Sequence, residues 1–179
     1  DMQVTLARCI GEFHAATTER AVVGPTEIRC WITDRVASIT PMLPRSDAAL
    51  LRALGRELAD DVTGRTVSLS WIHGDLSPAN VVVSPDATVL HGIVDWESAG
   101  RRELPDVDII QLLLAGRVAG DGDELGQSVN NVIDSGWNAV ESGIIESSAS
   151  CPNEHLGWRS LLLITWLRHV AGNLDKSAH

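Results

Sequence analysis

The chain has 179 residues, of which 44% are hydrophobic and 21% charged, a balance that suits a folded globular chain and excludes a disordered one. Its formal net charge of -10 speaks against nucleic acid or an anionic membrane as partner and suits a cationic ligand, although surplus acid is more often a solubility device. Cys9, Cys30 and Cys151 are odd in number, widely spaced and without a Cys-x-x-Cys pair, so disulfide frameworks and thiolate zinc sites are excluded and a reducing compartment, the cytoplasm, is expected. Of 14 basic residues only Lys176 is lysine. A mechanism that needs an interior lysine must therefore find it in another chain or segment. Solid apolar stretches such as Leu161–Ile164 are far below membrane-spanning length, and no charged-then-apolar leader is read. An opening on Asp1 rather than Met makes an excised or processed piece the expectation.

Val4–Thr17, with Leu6, Ile10 and Phe13 at helical spacing, predicts an amphipathic helix that ends before Gly24-Pro25. Ile28, Trp31, Ile32, Val36 and Ile39 continue the same period and predict a second helix stopping before Pro41 and Pro44. Ser46-Asp47 reads as the cap of a third helix, with Leu50, Leu51, Leu54 and Leu58 on one face and Gly64 past its end. The period then changes. Thr66–Ile72 alternates and is rich in β-branched residues, and Asn80–Val83 and Thr88–Val94 flank Ser84-Pro85-Asp86 as a β-hairpin. Helix returns after Pro105: Asp106 or Asp108 is read as the cap of Ile109–Val118, Asp123–Val140 as a helix weakened at Gly136, Ser147–Pro152 as a polar linker, and His155–Val170 as a buried final helix. Helices around so few strands exclude a doubly wound sheet or a barrel. The fold class expected is α+β and mostly helical, one domain over residues 1–179 with a small hairpin set into it.

The hairpin carries a dense polar cluster, His73-Gly74-Asp75-Leu76-Ser77-Pro78-Ala79-Asn80, followed by Asp95-Trp96-Glu97. Phosphoryl transfer from a nucleotide needs a carboxylate to orient and deprotonate the attacking hydroxyl, and hard oxygen ligands for the magnesium ions that bridge the phosphates. Kinases place the base and a metal-binding Asn in one loop spaced H-x-D-L-x-x-x-N, with a second metal-binding Asp later. His73, Asp75, Leu76 and Asn80 meet that spacing. Asn80 enters the first strand of the hairpin and Asp95 leaves the second, so the fold of the hairpin should return them to each other. Asp75 is then the hydroxyl-orienting base, Asn80 and Asp95 the magnesium and nucleotide ligands, and His73 a structural residue pinning the loop. Each motif alone is an ordinary turn or loop; the joint match carries the reading.

His73-Gly-Asp-Leu-x-Pro-x-Asn80 with Ile93-Val-Asp-Trp-Glu97 resembles the aminoglycoside phosphotransferase family, also called the phosphotransferase enzyme family, which shares the protein-kinase-like fold. Gly74 stands where that family, unlike protein kinases, has Gly. Pro105-Asp-Val-Asp108-Ile resembles the family's Pro-x-x-Asp-Leu segment, and the helix ending Phe13-His14 resembles the first helix of its C-terminal lobe. The resemblance implies that Asp108 braces the catalytic loop, with a plain helix cap as the alternative. It implies ATP or GTP with Mg2+ as cofactors, and a hydroxyl of an aminoglycoside, sugar or amino alcohol as acceptor. It also implies an N-terminal lobe with a phosphate-covering loop and a strand lysine. Upstream of His73 there is no lysine, no Gly-x-Gly and no strand-rich stretch. The chain is thus expected to be the C-terminal catalytic lobe of a small-molecule kinase, inactive or weakly active without its N-terminal partner lobe. The competing expectation is a non-catalytic pseudo-kinase lobe serving as a binding module; a metal-dependent hydrolase is a third.

Outside the cluster the expectations are plainer. His14 is read as a helix residue at a core edge, the six tryptophans as core anchors, with lining of the cleft beside Asp95 as the alternative for Trp96, and Arg101-Arg102 as an exposed pair, with phosphate steering as the alternative. Glu97, Glu103, Asp106 and Glu141 are candidate acids for a cationic substrate, with solvated surface as the stronger reading.

Overall fold

The computed structural model of the chain describes residues 2–122, 124–148, 153 and 156–177. In chain order its elements are α1 (Met2–Thr17), β1 (Glu19–Val22), α2 (Pro25–Ile28), a wide helical turn at Arg29–Thr33, α3 (Asp34–Ile39), α4 (Arg45–Val62), β2 (Thr66–Ile72), β3 (Val81–Val83), β4 (Leu90–Ile93), β5 (Gly100–Glu103), α5 (Asp106–Asp121), α6 (Leu125–Ser135), α7 (Ala139–Ser148) and α8 (Trp158–Ser177). This is the mostly helical α+β class that the sequence predicts. The chain divides into two compact units, Asp1–Arg20 with Ser68–Asn153, and Ala21–Val67 with Glu154–His179.

The first unit is built on one apolar cluster. Leu6, Ala7 and Ile10 of α1, Ile109, Leu112 and Leu113 of α5, and Ile144 of α7 close around Leu76. Leu76 belongs to the polar cluster read from the sequence, yet its side chain is fully buried. Burial of a leucine side chain contributes about 1.5–3 kcal/mol, which anchors that loop to three helices. Val81, Leu90 and Ile93 of the β3–β4 hairpin pack against the same cluster. The hairpin is antiparallel, pairing Val81 with Ile93 and Val82 with Gly92. Its turn is closed by Asp86, which accepts from Ser84 Oγ at 2.6 Å and Thr88 Oγ1 at 2.8 Å. Strand β2 lies between β1 and β5, and pairs antiparallel with β5 through Ser70–Glu103 and Ile72–Gly100.

The second unit packs α8 against α3 and α4. Trp31, Ile32, Val36, Ile39, Leu51, Leu58 and Val62 are buried there, as are Leu161–Ile164 and Leu167 of α8. Gly55 lets α4 come close to α3: a Cβ at that position would lie 3.0 Å from Val36 Cγ2. The expectation of a largely buried final helix is met, with the helix beginning at Trp158 and running on to Ser177.

Several boundaries differ from the sequence reading. Helix α4 begins at Arg45 with Pro44 at the cap position, so Ser46 and Asp47 lie in its first turn. Leu50 points away from its apolar face and is 70% exposed. The stretch read as one helix over 123–140 is two, α6 and α7, because Gly136 takes φ 77° and ends α6. Ser147 and Ser148 close α7; Asp123, residues 149–152 of the expected linker, and His155 lie outside the described residues. Neither Asp106 nor Asp108 caps α5, whose cap position is Pro105. Strands β1 and β5 were not expected.

Candidate active site

The hairpin register brings the two ends of the polar cluster together. Val94 N donates to the Asn80 carbonyl at 2.9 Å, continuing the ladder of β3 and β4 by one step. Asp95, the next residue, therefore leaves the hairpin beside Asn80. A tight helical turn at Pro78–Asn80 carries the chain into β3, with Asn80 N donating to Ser77 O at 3.1 Å. The Asn80 side chain reaches back: its Nδ2 donates to the Asp75 carbonyl at 2.9 Å.

His73 ties the same parts from inside. Its side chain is fully buried. Nε2 donates to the Val94 carbonyl at 2.8 Å, and Nδ1 accepts from Asp75 N at 3.3 Å. The two contacts assign the ring proton to Nε2. One imidazole thus spans the backbone of both Asp75 and the residue before Asp95. Trp96 lies over this ring, its centroid 4.7 Å away, and meets Phe13 edge-on at 5.4 Å. Trp96 is 40% exposed, so the expectation of a buried core anchor is corrected: it is an aromatic cover on His73. A groove of about 300 Å3 beside it is lined by Cys9, Phe13, Leu90, His91 and Ile93.

Two backbone conformations in the loop are unusual. Gly74 has φ 80° and Asp95 φ 63°. Both are left-handed, where glycine is at ease and aspartate is among the few other residues to appear, at a cost of about 1 kcal/mol. Such strain recurs where structure is held for function.

Asp108 stands behind the loop as an acceptor. It is 0% exposed. Its Oδ2 accepts from His73 N at 2.7 Å and from His14 Nε2 at 2.9 Å, and its Oδ1 accepts from Gly74 N at 2.7 Å. A buried carboxylate is costly unless its charge is met by donors, and these three meet it. His14 is accordingly a buried partner of Asp108 and not a residue at a core edge. No local signal in the sequence links the two, which lie 94 positions apart.

The other candidate acids match the sequence reading only in part. Glu97 is exposed. Glu141 is buried and takes a two-pronged ion pair from Arg117, Nε to Oε1 and Nη2 to Oε2 at 2.6 Å each. Burial opposes its charge, but the Arg117 guanidinium and Asn138 N hold its carboxyl below the usual value. Asp106 accepts from Asn153 Nδ2 at 2.6 Å. Burial pushes its carboxyl above the usual value despite that bond. Asn153 also bonds both backbone groups of Ser68 in β2, at 2.7 and 3.2 Å. Neither Glu141 nor Asp106 is solvated surface. Arg101 packs on Trp71 at 4.1 Å, and Arg102 pairs with Glu19.

The donor set at the hairpin mouth suits a hard cation. With Nδ2 of Asn80 turned to the Asp75 carbonyl, the amide oxygen is its remaining donor, and Asp95 adds a carboxylate. Magnesium takes one or two such protein oxygens and completes its shell with phosphates and water. Among the described residues no group of three or more His, Cys, Asp or Glu side chains forms a metal cluster. Among the same residues no helix is long and apolar enough to cross a membrane.

A profile of the phosphotransferase enzyme family matches residues 3–131, the stretch that holds every residue of this site. Among solved structures, a glucosamine kinase in crystal form B is 15% identical with a TM-score of 0.48, covering 97% of this chain and 47% of its own. A glucosamine kinase in complex with glucosamine, ADP and inorganic phosphate is 15% identical with a TM-score of 0.41, over 97% and 40%. The chain spans less than half the length of these structures. No curated protein matches it.

Proposed function

Since the chain belongs to the phosphotransferase enzyme family, we propose that it supplies the hydroxyl-activating and metal-binding groups of a small-molecule kinase. The reaction moves the γ-phosphate of ATP or GTP to a hydroxyl of an aminoglycoside, sugar or amino alcohol. The new bond joins the acceptor oxygen to phosphorus, the bond to the nucleoside diphosphate breaks, and the hydroxyl proton goes to Asp75. Asp75 is the base because it is the carboxylate of the loop that Asn80 and His73 fasten at both ends. Asn80 and Asp95 would hold Mg2+, which supplies charge neutralisation at the phosphates. The net charge of -10 favours a cationic acceptor.

One observation carries the reading. Asp75, Asn80 and the Val94–Asp95 segment are joined through three side-chain and backbone hydrogen bonds at one end of the hairpin. The test is Asp75→Ala in the full-length protein, with transfer and nucleotide affinity measured side by side. Turnover is expected to fall by about 10²–10⁴ with nucleotide affinity nearly intact, as removal of a general base requires. Unchanged turnover would remove the assignment. Nucleotide binding without transfer in the unmutated protein would leave a non-catalytic binding lobe as the reading.

A further inference from the structure

We propose that His14 is a positioning residue for the proposed reaction, acting through Asp108 on the backbone that carries Asp75. The inference rests on the reading of Asp75 as the base. Asp108 has three hydrogen-bond donors: His73 N, Gly74 N and His14 Nε2. The first two are backbone amides, which no substitution other than proline removes at those positions. His14 is the one donor among the three that a side chain provides.

The arrangement makes the loop depend on that side chain. Asp108 Oδ2 is shared between His73 N and His14, so the imidazole fixes the rotamer in which the carboxylate faces both amides. Gly74 sits in the left-handed region at φ 80°, a conformation that glycine adopts but does not prefer strongly over others. Its place is set by the bond to Oδ1. Asp75 follows directly. Without His14, a side chain at 0% exposure loses one of its three donors, and a buried polar group left incompletely met turns toward other partners. That change releases the two amides immediately before the base. His14 is itself placed by α1, where Leu6, Ala7 and Ile10 are packed in the apolar cluster. The brace therefore runs from a helix through one imidazole and one carboxylate to the loop, and touches no substrate.

The experiment compares His14→Leu and His14→Gln in the full-length protein. Gln keeps an N–H at a reach similar to that of Nε2; Leu keeps bulk alone. Two quantities are read: amide hydrogen exchange over residues 73–76, and turnover of MgATP with its KM. His14→Leu is expected to speed exchange over 73–76 by about tenfold, without change in α6 and α7, and to lower kcat by about tenfold with KM within about twofold. His14→Gln is expected to recover most of both. The inference is overturned if exchange over 73–76 stays at the wild-type rate in His14→Leu. It is also overturned if exchange rises equally throughout the unit, or if Gln is no better than Leu. Asp75→Asn is run alongside. Wild-type turnover in that variant, beside a loosened loop in His14→Leu, overturns the role of Asp75 and supports the brace, so the two failures are told apart.

Discussion

The side-chain amide of Asn80 donates to the backbone carbonyl of Asp75 at 2.9 Å. The residue read as a magnesium ligand thus holds the backbone of the residue read as the base. Catalysis by positioning requires its groups to be in place before substrate arrives, since ordering them during the reaction would add to the barrier. Here that ordering is done by a side-chain amide and a backbone carbonyl.

Asp95→Ala is expected to weaken binding of the magnesium–nucleotide complex by about tenfold or more, because it removes the one charged ligand proposed for the cation. Calorimetric titration with MgATP and with ATP in excess chelator separates the effect. The variant should lose the difference between the two titrations that the wild type shows. A retained difference would show that the cation is held elsewhere.

Gly74→Ala should destabilise the first unit by about 1–2 kcal/mol, the cost of a Cβ in the left-handed region at φ 80°. Denaturant unfolding measures the loss. Because the residue lies next to Asp75, turnover in the full-length protein should fall as well. A stable but slow variant would mean that the loop gives way before the fold does.

Arg117→Ala removes both bonds to Glu141 and leaves a buried carboxylate with its donors reduced to Asn138 N and whatever water enters. A loss of about 2 kcal/mol is expected, the scale of hydrogen bonds to charged groups. The pH dependence has a definite sign. The folded-state pKa of Glu141 is lowered from 4.5, so its contribution is fully present above about pH 5 and is lost as pH falls through the lowered value. Unfolding free energies between pH 3 and 7 should therefore converge for wild type and Arg117→Ala at the acid end.

Asp106 runs the other way. Its folded-state pKa is raised from 3.8, so the folded state binds its proton more tightly than the unfolded chain does. Its contribution favours folding at low pH and declines as pH rises from about 3.8 through the raised value. Asp106→Asn retains an oxygen to accept from Asn153 and has no charge to bury. It should be at least as stable as wild type at neutral pH, with the advantage shrinking as pH falls. A variant less stable than wild type at neutral pH but equally stable at acid pH would show that the charge itself is needed.

Much of this was legible in the residues because the signals were local. Helix α1 and strand β2 follow from apolar period, and the hairpin from two β-branched runs about a Ser-Pro-Asp turn. The cluster from His73 to Asn80 could be read by spacing alone. What escaped was set by partners distant in sequence. Strands β1 and β5, Glu-Arg-Ala-Val and Gly-Arg-Arg-Glu, are mostly exposed and have no apolar alternation to announce them; pairing with β2 makes them strands. Asp108 sits where a cap residue would, but its partners His14 and His73 lie 94 and 35 positions away. Glu141 looked like a surface acid because Arg117, 24 positions earlier, cannot be matched to it without the helices in place.

The contact between Trp96 and His73 gives the protein an optical reporter beside the loop. An indole resting on an imidazole responds in its emission when that contact opens. Subtracting the spectrum of Trp96→Phe from that of the wild type would isolate this signal from the other five tryptophans. The state of the loop could then be followed in solution without any label.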